Sequence, residues 1–192
     1  MKLLASTAML SLGALGLAAC GGDDALSYSA PVGIDLKAKS SDVAGGVVSN
    51  DKGITTESGN PYGAFVSDAR DALGGGDPGR IEVEGLTLLL GAGSTGVLTL
   101  GEVFDGTVEV LFVMNDTNDT FPVGSTAVVA TTPAGPIDLD VSFDSSAVAA
   151  VNWDKMLTGS FKVALRGPAQ GDFENANADV DLEATFTFGA YP

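Results

Sequence analysis

The end of the chain alternates strictly between apolar and polar residues. Val180, Leu182, Ala184, Phe186 and Phe188 are separated by single Asp, Glu or Thr residues. A period of two is typical of a β-strand with one buried and one solvated face. A sheet with one apolar face must bury that face against a second layer. The pattern therefore restricts the chain to layered β architectures, and the segment 32–38 repeats it.

Most of the remaining chain also has strand character. Further strands are predicted at 47–48, 80–90, 96–104, 107–114, 125–131, 137–143, 158–166 and 179–188. Turn-forming stretches separate them, namely Asp105-Gly106, 115–120, 132–136 and 167–177. We therefore expect an all-β fold, an antiparallel β-sandwich or alternatively a small barrel, of about seven to nine strands.

One segment has helical spacing. Asn60-Pro61 supplies an N-cap and a first-turn proline, the apolar residues that follow recur at helical intervals, and three glycines at 74–76 provide a stop. This pattern predicts one short helix near 61–73.

The chain opens with Met1-Lys2 and an apolar run over 3–19. A charged residue before a short apolar run is typical of a signal peptide. The run closes with Leu17-Ala18-Ala19-Cys20, which resembles the lipobox of bacterial lipoproteins. The resemblance implies that signal peptidase II removes residues 1–19 and that Cys20 carries fatty acyl groups such as palmitate. The chain would then be bound to a membrane through the acyl groups on Cys20.

The resemblance also divides the chain. Residues 20–27 are expected to form the lipidated cysteine and a flexible Gly- and Asp-rich tether, and residues 28–192 a single β-rich domain. Gly21 stands where some diderm lipoproteins have an aspartate that retains them in the inner membrane. The resemblance therefore favours the outer membrane, and leaves the leaflet open.

The chain is strongly acidic. It has 9 basic and 25 acidic side chains, and removal of the segment with Lys2 leaves a formal charge of −17. Such a surface repels nucleic acid, which we exclude as a partner. An envelope protein, a glycan or a divalent cation stays open.

Histidine is absent and Cys20 is the only cysteine. These absences exclude Ser-His-Asp and Cys-His hydrolases and ordinary zinc or copper sites. Carboxylate pairs two residues apart could hydrolyse a glycan, but the same spacing occurs on any solvated strand face. The pairs are Glu82 with Glu84, Asp138 with Asp140, and Asp179 with Asp181.

Two places could bind a ligand. Asp116, Asn118 and Asp119 lie in an oxygen-rich loop that could hold calcium, although such residues also favour plain turns. Trp153, the single tryptophan, could stack on a sugar or could fill the core. The sequence favours a non-catalytic lipoprotein that acts as an interaction or structural module. A calcium-dependent or carbohydrate-binding adhesin and a glycan hydrolase are the alternatives.

Overall fold

The structure is a computed structural model and describes residues 26–57 and 59–192. The signal peptide, the lipobox and Cys20 lie outside the described residues. The strands are β1 (Tyr28–Lys39), β2 (Val47–Ile54), β3 (Arg80–Leu90), β4 (Gly106–Met114), β5 (Thr120–Val128), β6 (Ile137–Asp138), β7 (Asp140–Val141), β8 (Phe161–Pro168) and β9 (Asp179–Tyr191). The helices are α1 (Pro61–Ala72) and α2 (Ala150–Thr158).

The strands form two antiparallel sheets. One has four strands in the order β1-β9-β3-β6, and the other has five in the order β2-β8-β4-β5-β7. The predicted all-β sandwich is confirmed. The edge strands β1 and β2 approach each other, where the Lys37 amide donates to Asn50 Oδ1 at 3.1 Å.

The core lies between the sheets and is rich in aromatic residues. Phe112 of β4 is fully buried, with ring centroids 5.1 Å from Phe161 and Phe143 and 5.9 Å from Phe186. The predicted alternation in β9 holds, because Val180, Leu182, Ala184, Phe186 and Phe188 are all buried. The two sheets are thus joined by ring contacts between β4, β8 and β9.

Helix α1 closes one end of the sandwich and matches the predicted helix. The Asn60 side chain accepts from the Tyr62 amide at 3.0 Å, as an N-cap should. The Tyr62 ring lies 5.2 Å from Phe161 and 5.3 Å from Phe188, so the helix contacts both sheets. The buried Tyr62 hydroxyl donates to the Met156 carbonyl at 3.1 Å, and burial raises the pKa of this phenol.

The expectation of a single helix is wrong, because residues 150–158 form α2. The strand predicted from 158 begins instead at Phe161. Gly159, with φ 65°, ends the helix in the left-handed conformation. Alanine at 149 supplies no side-chain cap, which removed the usual sign of a helix start.

Three predicted strands are also corrected. Segment 96–104 contains a 3-10 turn, Leu100–Glu102, because the Leu98 and Thr99 amides donate to the Glu102 carboxylate and not to a neighbouring strand. Segment 137–143 provides only the two-residue strands β6 and β7, which pair with different sheets. The strand expected at 125–131 is β5, which begins five residues earlier, at Thr120.

Candidate functional site

The tryptophan proposed as a sugar platform lies on α2. Trp153 is half-buried and packs against the hydrophobic core. Its neighbour Asn152 is buried and Met156, one turn later, is fully buried. A ring that packs partly against the core has less of its face available for a sugar, so the platform stays a prediction.

The oxygen-rich loop packs on the same helix. Asn152 donates from Nδ2 to Asp119 Oδ2 at 2.8 Å and accepts from the Thr117 hydroxyl at 3.2 Å. Asp116 and Asn118 adopt positive φ values of 66° and 57°, which Asp and Asn tolerate better than most residues. The loop is therefore a tight turn held to α2 by side-chain hydrogen bonds.

A lysine lies beside this loop. The Lys155 ammonium donates to the Asn115 carbonyl oxygen and lies 3.8 Å from Asp116 Oδ2. Its side chain is only 14% exposed. Within residues 26–57 and 59–192 there is no group of three or more carboxylate, histidine or cysteine side chains arranged to hold a metal. Calcium binding by Asp116, Asn118 and Asp119 stays a prediction, and a fixed ammonium would compete with the ion.

We expect calcium to leave the melting temperature of the protein unchanged, because Lys155 already supplies a positive charge to the loop. At a calcium concentration about 100 times the dissociation constant, a calcium site would add about 2.7 kcal/mol to the free energy of unfolding. Differential scanning calorimetry with excess calcium and then with excess EDTA makes the measurement. A rise that EDTA reverses, and that Asp116→Ala abolishes, would establish the calcium site.

The carboxylate pairs lie on solvated faces. Asp181 and Asp179 of β9 pair with Lys37 at 2.9 Å and Lys39 at 3.5 Å across the strand boundary. The hydrogen bond from Lys37 to Asp181 raises the pKa of that lysine. These two carboxylates therefore form exposed ion pairs that join β9 to the edge strand β1.

In the second pair, Glu82 is half-buried and Glu84 is exposed. Glu82 accepts from the Ser145 hydroxyl at 2.6 Å, and Glu84 accepts from the Tyr191 hydroxyl, which raises the pKa of that tyrosine. Asp138 and Asp140 are exposed. A carboxylate glycosidase needs an acid kept protonated by a buried site, and no carboxylate of the described segments is buried. The hydrolase stays a hypothesis without a buried acid in that part of the chain.

A concave surface that the sequence reading missed lies on the five-stranded sheet. The outer face is the solvent-facing side of β2, β8, β4 and β5. An open concavity of about 520 Å³ lies there. It is lined by Ser49, Asn50, Asp51, Leu111, Val113, Thr120, Ala164, Leu165 and Arg166. An adjoining hollow of about 310 Å³ shares Arg166 and extends to Val47 and Pro168.

Leu111 marks this concavity. It is only 7% exposed, yet it is absent from the hydrophobic cluster between the sheets, which contains its neighbours Val110 and Phe112. Its side chain therefore lies on the outer face. The signal in the sequence was the run of five apolar residues over 110–114, which breaks the alternation expected of a strand with one wet face.

Ion pairs neutralise the outer face. Arg166 Nε lies 2.9 Å from Glu109 Oε2, and Lys162 Nζ lies 3.3 Å from Asp51 Oδ1. Each pair joins neighbouring strands. The outer face thus combines an apolar centre with two balanced pairs, although the chain as a whole is strongly acidic.

No family model, curated protein or solved structure matches the chain. In the described segments, neither helix has the length and apolar character needed to cross a bilayer. The functional argument therefore depends on the residues themselves.

Proposed function

We propose that this chain is a lipid-anchored protein of the bacterial cell envelope, in the outer membrane, whose β-sandwich is a non-catalytic interaction module. The observation that carries the proposal is the only cysteine, Cys20, directly after Leu17-Ala18-Ala19 at the end of an apolar run. Acyl chains contribute about 0.8 kcal/mol for each buried CH₂ group, so two or three chains would make a stable anchor.

The position of β1 in the sequence supports this proposal. Strand β1 begins at Tyr28, eight residues after Cys20. A segment of that length spans at most about 3.3–3.6 Å for each residue, so the sandwich would stay close to the membrane surface. A protein held in this way can contact partners in the same membrane or partners in the adjacent aqueous space.

The surface chemistry supports a binding role and not a catalytic one. The chain has no histidine, and no carboxylate in the described residues is buried. By contrast, the outer face offers a concavity of mixed polar and apolar lining, and the ion pairs Arg166–Glu109 and Lys162–Asp51 lie on the same face. Interface centres are depleted in net charge and bordered by polar groups, as this surface is.

The anchor is tested with Cys20→Ser. We expect this variant to lose all incorporation of radioactive palmitate and to leave the membrane fraction, because the acylated sulfur is gone. Ser11→Ala, in the same apolar run, should label and fractionate like the parent. Equal labelling of Cys20→Ser and parent would overturn the proposal.

A further inference from the structure

We propose that the outer face binds a second copy of this chain, around a two-fold axis that runs parallel to the strands between β4 and β8. The inference rests on the proposed function, because it names the partner of the interaction module described above. It is argued from the register of the two strands, from charge and from the position of Tyr28.

The register places unlike residues opposite each other under this symmetry. Neighbours across β4 and β8 are Glu109 with Arg166, Leu111 with Ala164, and Val113 with Lys162. A two-fold axis parallel to the strands lays β8 of one copy over β4 of the other at the same level. Each residue of β8 then faces the residue that was its neighbour, now on the partner copy.

This exchange gives charge complementarity. Arg166 of each copy would face Glu109 of the other, so the one Arg166–Glu109 pair within each copy would be supplemented by two such pairs between copies. On β2, β8 and β4 the outer face has two cations and two carboxylates, so the repulsion between two acidic chains is smaller there than elsewhere on the surface. On the opposite sheet, β1 and β9 present four carboxylates against two lysines. Those residues are Asp35, Asp179, Asp181, Glu183, Lys37 and Lys39.

The exchange also places apolar residues opposite each other. Leu111 of each copy would face Ala164 of the other, and both residues line the concavity. Sheets that pack face to face lie about 10 Å apart with interdigitated side chains. The aliphatic stem of Arg166 extends over the same concavity and can cover it, since long charged side chains bury their stems.

The position of Tyr28, the first residue of β1, fits the same axis. The Tyr28 ring of β1 lies 5.9 Å from Phe65 of α1, and Phe161 at the start of β8 lies 5.2 Å from Tyr62 of the same helix. Tyr28 and the start of β8 are therefore at one end of the sandwich. Rotation about an axis parallel to the strands keeps that end on the same side, so both acyl anchors would enter one membrane.

Cross-linking in intact membranes tests the contact. Ala164→Cys places a thiol on the outer face, and Thr185→Cys places one at the centre of the solvated face of the other sheet, between Gly33 and Thr87. Both native side chains are half-buried, so the two variants are matched. A bismaleimide that spans about 10 Å, the distance between packed sheets, should convert Ala164→Cys to a product of twice the mass. The Thr185→Cys variant should keep the mass of one chain.

Charge reversal provides the second arm. Arg166→Glu in the Ala164→Cys background should abolish the product, since two carboxylates would then face each other. Glu109→Arg combined with Arg166→Glu should restore it. Light scattering of the detergent-solubilised parent should give twice the mass of one chain.

A monomer in light scattering, equal products from both cysteines, or a product of another mass would each overturn the proposal. A loss of product in Arg166→Glu without recovery in the doubly reversed variant would also overturn it. Palmitate labelling is measured separately on the same strains. A labelled parent without the Ala164→Cys product would overturn the dimer alone, and an unlabelled parent with the product would overturn the anchor alone.

Discussion

Replacement of Phe112 by alanine should lower the free energy of unfolding by about 3–5 kcal/mol, the usual cost of removing a buried aromatic ring. Phe112 is fully buried and its ring lies 5.1–6.2 Å from the rings of Phe143, Phe161, Phe186 and Phe188. These partners come from both sheets and from the segment before α2. The cavity would therefore remain between rigid layers that cannot collapse into it.

Urea denaturation followed by tryptophan fluorescence measures this loss, since the single Trp153 packs against the same core. The control is Leu98→Ala, which removes an apolar side chain that is 80% exposed. It should change the free energy of unfolding by less than about 0.5 kcal/mol. Equal effects of the two substitutions would mean that Phe112 is not between the sheets.

Gly101→Ala should destabilise the protein by about 1–3 kcal/mol, as overpacking usually does. Gly101 is buried in the 3-10 turn Leu100–Glu102, and its amide donates to the Thr132 carbonyl at 3.1 Å. A Cβ atom there would lie 2.7 Å from the carbonyl oxygen of Ala130. Because that obstacle is backbone, the two loops must separate to admit a methyl group.

The matched control for this glycine is Gly76→Ala. A Cβ atom at Gly76 would have no neighbour within 4 Å, and its φ lies outside the left-handed region. Such a site accepts alanine without strain and can gain about 0.4–1 kcal/mol from the lower entropy of the unfolded chain. Thermal unfolding of both variants gives the comparison. A Gly101→Ala protein as stable as Gly76→Ala would contradict the close packing of these loops.

The local sequence pattern was sufficient to predict an element where its residues clearly alternate between buried and solvated faces or carry a clear helix-start signal. The alternation in β1 and β9, and the Asn60-Pro61 start of α1, appear in the structure as the sequence predicts. The pattern was insufficient to predict α2. This helix has nine residues, among them a valine and a tryptophan, and its first turn has no side-chain cap. There the helix is stabilised by contacts with distant segments, such as the Tyr62 hydrogen bond to Met156.

The candidate sites were also predicted only in part. The positions of oxygen-rich loops could be read from the sequence. The contacts of Lys155 and Asn152 with the 115–119 turn could not, because they depend on how α2 packs. The concavity on the outer face was not predicted, since Leu111 and Ala164 are 53 positions apart in the chain and meet only through strand pairing.

The sequence by itself determined the layered β class, the strongly acidic charge and the absence of imidazole chemistry. These follow from residue identity and from the period of two, which are local properties. The tertiary structure alone decided which strands became neighbours, where Trp153 packs and which sheet face is neutral and concave. The physical reason is that strand register and sheet packing join residues far apart in the chain, so no local pattern encodes them.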